Sequence, residues 1–83
     1  MEYELSDHAA RRIHERKIEP RWIEMTLSEP DRWEEDGIDP AVSHALKRIA
    51  EMDNRVLRVV YNATTVPVRI ISVHFDRRMK GKL

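Results

Sequence analysis

Two eight-residue runs, Arg55–Asn62 and Val68–Phe75, constrain this chain more than any other feature. Both are dense in β-branched and aromatic residues, the side chains that fit a pleated, half-buried surface, and residues 62–67 between them supply the turn. Two such runs require an antiparallel sheet with at least one more strand, because an isolated hairpin is barely stable in water.

The third strand is sought in residues 42–52, which can be read two ways. Asp39-Pro40 looks like a helix start, and Val42, Leu46 and Ile49 fit a helical stripe. Alternation instead places Leu46, Arg48, Ala50 and Met52 on one face of a strand, and Asp53-Asn54 makes a good two-residue turn because both residues tolerate positive φ. The strand is the reading adopted, since Arg55–Asn62 needs a neighbour. If Met52 pairs with Arg55, then Leu46, Arg48, Ala50, Leu57, Val59 and Tyr61 share a face with Ile71, Val73 and Phe75. Lys47, Ile49, Glu51, Val56, Arg58, Val60, Ile70, Ser72 and His74 occupy the other, and Arg77, Arg78, Lys80 and Lys82 trail behind as a basic tail.

The first half reads differently. Tyr3–Leu5 is short and extended, and Ser6 or Asp7 can cap a helix over Asp7–Lys17 with Ala9, Ala10 and Ile13 on its apolar stripe. Pro20 suits the first turn of a second helix that runs to about Ser28, with Trp22, Ile23, Thr26 and Leu27 inward and Pro30 stopping it. Asp31–Glu35 is expected as an edge strand. The fold class is therefore α+β: an N-terminal strand and two helices packed on one face of a three- to four-stranded antiparallel meander sheet, in a single domain spanning 1–83. Eighty-three residues hold one core and no more.

Composition excludes several chemistries. With no cysteine there is neither a disulfide framework nor a thiolate metal site. His8 and His14 point in different directions on their helix, and no histidine pair has the spacing of a helical metal site, so no metal is expected. Only Gly37 and Gly81 are glycines, which excludes a glycine-rich phosphate loop, and no cofactor is expected. Met1–Asp7 has no signal-peptide character and no apolar run spans a bilayer, so the expected location is the cytoplasm, away from membranes. The formal net charge of zero hides a division. Residues 1–41 carry 6 basic and 12 acidic side chains, giving −6, and residues 42–83 carry 9 and 3, giving +6. Such a split suits a protein whose two poles meet different partners.

The remaining chemistry is that of histidine beside arginine, which suits metal-free RNA cleavage: a base takes the 2′-hydroxyl proton, cations stabilise the phosphorane and an acid protonates the leaving oxygen. His74 beside Arg58 and Lys47 on the open sheet face is one candidate arrangement, set against the plainer reading of an exposed sheet histidine. His8 with Arg12 and Arg16 on one helix face is another, set against a helix-start histidine bonded to backbone. Candidate catalytic residues are thus His8, Arg12, Arg58 and His74, and candidate RNA contacts are Lys47, Arg58, Arg77 and Arg78. Arg48, placed on the apolar face, is expected to be paired and structural.

Four stretches together, Leu5-Ser6-Asp7-His8-Ala9 with Arg12 and Arg16, Glu29-Pro30-Asp31, Arg55–Val60, and Val73-His74-Phe75-Asp76-Arg77-Arg78, resemble the family called domain of unknown function 4258 over nearly the whole chain. The resemblance implies a helix pair on a meander sheet, akin to the RelE and BrnT group of ribonuclease toxins, with RNA as ligand and an antitoxin protein as partner. His8 and Arg12 match the family's first-helix positions, and Arg58 and Asp76-Arg77 its strand positions. The sequence pI of about 6.9 departs from the strongly basic character of ribosome-directed members of that group. A rival reading is a non-catalytic interaction module that dimerises through exposed Ile49, Val60 and Ile70. A third is a small-molecule binder with a pocket between the first helix and the sheet.

Overall fold

The computed structural model describes residues 2–83. In chain order they form β1 (Tyr3–Leu5), α1 (Asp7–Arg16), α2 (Pro20–Ser28), β2 (Arg32–Glu35), β3 (Val42–Ile49), β4 (Arg55–Asn62) and β5 (Val68–Phe75), with short 3₁₀ turns at Ala50–Met52 and Arg77–Met79. The five strands make one sheet in the order β1-β5-β4-β3-β2. β2 to β5 pair antiparallel with their neighbours, but β1 runs parallel to β5, so the sheet is mixed and five-stranded where an all-antiparallel sheet of three or four strands was expected. β1 and β2 occupy opposite edges. The two helices carry the chain from one edge to the other, the crossover that a parallel edge strand requires.

Local signals explain the helices. Ser6 caps α1 by accepting the Ala9 N–H at 3.0 Å, and its own hydroxyl donates to the Ile71 carbonyl at 3.1 Å. Its N–H reaches the Ile70 carbonyl at 2.9 Å, so the β1–β5 ladder leads directly into the helix start. Lys17 ends α1 in the left-handed region at φ 54, and the Ile18 N–H returns to the Ile13 carbonyl. Pro20 opens α2, and Trp22, Ile23, Thr26 and Leu27 are all buried, the stripe expected from the sequence. Thr26 directs its hydroxyl to the Trp22 carbonyl at 2.7 Å, which satisfies a polar group in the core. These side chains and Ala9 and Ile18 cover Ile49, Leu57, Val59, Ile70 and Val73 of the sheet.

The expected register of β3 is corrected. Leu57 faces Lys47 instead of Ala50, because β3 stops at Ile49 and the connection runs through the 3₁₀ turn, with Asp53 and Asn54 at φ 57 and 59. A shift by an odd number of residues turns every side chain of the strand over. Ala45, Lys47 and Ile49 therefore lie on the helix-covered face, and Leu46 and Arg48 on the other; Arg48 is exposed rather than buried against the helices.

β5 carries a second correction. Val60 pairs with Ser72 and Tyr61 with Ile70, a bulge that passes over Ile71. Ile70 is thereby fully buried in the core while Ile71 is 37% exposed, the reverse of strict alternation. With Ile49 and Ile70 both inside, the exposed apolar patch proposed for dimerisation does not form; of its three residues only Val60 is partly open.

Candidate functional site

β1 covers only Val68–Ile70 of β5, and α1 packs beside the rest of that strand. His8, Arg12 and Arg16, spaced four apart, lie on one helix face. That face and the end of β5 enclose an open cleft of about 530 Å³. Its walls are His8, Arg12 and Arg16 from α1, Ser72 to Phe75 from β5, Met52 from the β3–β4 connection, Arg55 at the start of β4, and Arg77 from the final turn. Among the described residues, no carboxylate lines it.

Arg12, Arg16, Arg55 and Arg77 make no side-chain hydrogen bond or ion pair with another described residue. Arg55 lies over the Phe75 ring, 4.5 Å from its centroid, and Phe75 in turn meets Trp22 edge to face at 6.1 Å. Four arginines lining one cleft make it a ready site for an anion, and guanidinium groups suit the planar, forked contacts of a phosphate. His74 sits in the same wall. Partial loss of water holds its imidazole below the usual 6.5; Asp76 opposes this, and Arg58, Arg12 and Arg78 reinforce it. The ring is thus neutral at pH 7 and free to accept a proton.

Of the candidates read from the sequence, the fold brings His8, Arg12, His74 and Arg77 together. Arg58 faces His74 across the ladder but is committed elsewhere. Its Nε and Nη2 both reach Asp76 Oδ2 at 3.0 Å, and Nη1 donates to Glu34 Oε1 at 3.1 Å and to His44 Nδ1 at 2.8 Å. Because a guanidinium can only donate, His44 Nδ1 must accept, which leaves the proton on Nε2 to be given to Asp36 Oδ1 at 2.8 Å. The Asp36 carboxyl, held by the Asp39 N–H, by His44 and by the Ile38 N–H, is lowered to about 2. Burial works to raise the Asp76 carboxyl, but hydrogen bonds from Arg58 and Arg78 outweigh it and hold it below its ordinary value.

Lys47 is placed away from His74, contrary to the arrangement expected on the open face. The register correction sends it to the helix side, where Nζ donates to the Glu29 carbonyl at 2.7 Å and lies 3.8 Å from Asp31. Arg78 is largely exposed and leans on Asp76. Arg55 is the cleft residue that sequence reasoning passed over as the plain start of a strand; its role follows from a register that the alternation pattern alone does not fix. Arg16 was visible from its helical spacing.

Among the described residues, no group of three or more His, Asp or Glu converges as a metal site would need. No described helix is long and apolar enough to cross a membrane. Comparison with curated proteins and with solved structures gives no match. A family model described as Domain of unknown function (DUF4258) matches residues 5–79, the span that holds both helices, β2 to β5 and all the cleft residues. The chain therefore belongs to the DUF4258 family.

Proposed function

We propose that this chain is a toxin-related domain of RelE-like arrangement that binds RNA in the α1–β5 cleft and cleaves it without a metal ion. The observation that carries the reading is the convergence of His8, His74 and four arginines in one cleft that no carboxylate among the described residues lines. In this scheme the neutral His74 takes the proton of a 2′-hydroxyl as that oxygen attacks the adjacent phosphorus. His8 gives a proton to the departing 5′-oxygen, and the products are a 2′,3′-cyclic phosphate and a free 5′-hydroxyl. Arg12, Arg16, Arg55 and Arg77 hold the phosphate and meet the charge that grows on its oxygens. Arg58 serves behind the site, fixing Asp76 at the end of β5. A cognate antitoxin acts on this reading by closing the cleft.

The test is cleavage of end-labelled RNA by purified protein in excess EDTA, together with growth on induced expression. Cleavage that survives EDTA and leaves cyclic phosphate ends is expected, with losses on the order of 10²–10⁴ in rate for His74→Ala and for His8→Ala. Wild-type protein that leaves RNA intact and growth unimpaired refutes the reading. RNA cleavage untouched by either substitution removes these two histidines from the mechanism.

A further inference from the structure

The cleft does not stand alone. A second cavity of about 440 Å³ is lined by Arg55, Phe75, Asp76, Arg77 and Lys80. It shares Arg55, Phe75 and Arg77 with the first, so the two adjoin along the Arg55–Phe75 stack. Arg55, stacked on Phe75, borders both cavities, and so does Arg77.

The second cavity adds one cation, Lys80, and one acid, Asp76. The acid is already taken: Arg58 holds one carboxylate oxygen, and the Arg78 N–H donates to the other at 3.0 Å. The ammonium of Lys80 meets Asp53 at 3.1 Å, with both side chains more than half exposed, a contact weak enough to be exchanged for a phosphate. Cations thus continue from Arg12 and Arg16, over the stack, to Lys80 in the tail.

We infer that the cleft takes an extended single strand of RNA and holds two consecutive phosphates, one among Arg12, Arg16 and Arg77 and the next beside Lys80, with the strand crossing the Arg55–Phe75 stack. This rests on the RNA-binding reading and goes further: it sets the smallest well-bound ligand at a trinucleotide and gives Lys80 a role in length recognition. A lone phosphate, or a dinucleotide with its single phosphodiester, fills half of the track.

The experiment measures fluorescence anisotropy with labelled 2′-O-methyl UpU and UpUpU, which cannot be cleaved, over a range of salt concentrations. Wild type is expected to bind the trinucleotide roughly tenfold more tightly. Its slope of log K against log salt is steeper by about 0.7, the value for one added phosphate contact on a single strand. Lys80→Gln loses most of that gain, roughly fivefold, and leaves UpU binding unchanged. Arg69→Gln, which removes a charge at the far end of β5, changes neither, and Arg12→Gln weakens both. Equal binding of the two probes by wild type, or a Lys80→Gln variant that keeps the full gain, overturns the two-phosphate track while sensitivity to Arg12→Gln upholds the cleft itself. Failure of wild type to bind either probe overturns both.

Discussion

The pair most exposed to a decisive test is Arg58–Asp76. The Asp76 side chain is 4% exposed and that of Arg58 13%, so both charges have left most of their water. Asp76→Ala removes the carboxylate that receives two N–H groups from Arg58, and uncoupling a buried pair in this way costs about 3–5 kcal/mol. Two structural facts adjust the figure in opposite directions. Glu34, one-third exposed, still accepts from Arg58 Nη1 and compensates in part. Asp76 also caps the Arg77–Met79 turn through the Arg78 N–H, a contribution of about 1 kcal/mol that alanine forfeits. A net loss of about 3–4 kcal/mol follows. It is large against the roughly 4–12 kcal/mol expected for a domain of this length.

Urea denaturation followed by far-ultraviolet circular dichroism and tryptophan fluorescence measures the loss, and thermal melts should fall by about 15–25 °C. Asp76→Asn keeps an oxygen for the cap and should cost about 1 kcal/mol less. The double replacement Arg58→Met with Asp76→Leu removes both charges and should return most of the lost stability, because well-packed apolar groups substitute for a buried pair at little cost. An Asp76→Ala variant within about 1 kcal/mol of wild type would refute the claim that this pair locks the end of β5 to β4.

Further outcomes are expected. The folded-state pKa of His74 lies below 6.5, so its contribution to stability is complete above that pH and declines as pH falls toward the folded value; His74→Gln should flatten this part of a pH–stability curve, and the acidic limb of any cleavage profile should lie below pH 6.5. Asp36 is depressed from 3.8 to about 2, so stability that it supplies above pH 3.8 is lost as pH falls toward 2, a loss that acid titration of Asp36→Asn should show diminished. The bulge in β5 predicts opposite costs for adjacent residues: about 2–5 kcal/mol for Ile70→Ala and under about 1 for Ile71→Ala in urea melts, and equal values would place the bulge elsewhere. Ser6→Ala should cost about 1–2 kcal/mol, since one hydroxyl both caps α1 and ties it to β5.

Local signals sufficed where the physics is local. Ser6, Pro20 and Pro30 set the helices to within a residue, because caps and missing N–H groups act over a single turn, and the β-branched runs gave β4 and β5 their observed ends. The helical spacing of His8, Arg12 and Arg16 and the presence of His74 on a strand were legible for the same reason. Residues 42–49 are a strand, as their alternation and the need of β4 for a neighbour implied, although the strand stops short of residue 52.

What the sequence could not settle was which side each strand shows and which distant elements meet. The connection after Ile49 absorbs Ala50 to Asn54 instead of turning on two residues, and that odd shift sent Lys47 to the helices and Ile49 into the core. The bulge past Ile71 exchanged two neighbouring isoleucines whose local sequence is indifferent to the choice. β1 joins β5 in parallel only because the helices carry the chain across to the opposite edge, and it is this placement that sets α1 against His74 and opens the cleft. Propensity is a property of a few adjacent residues, whereas register and edge pairing are decided by the burial of the whole sheet. The residue types for anion chemistry were written in the chain; their meeting in one cleft, with Arg55 and without Arg58 and Lys47, was decided by tertiary packing alone.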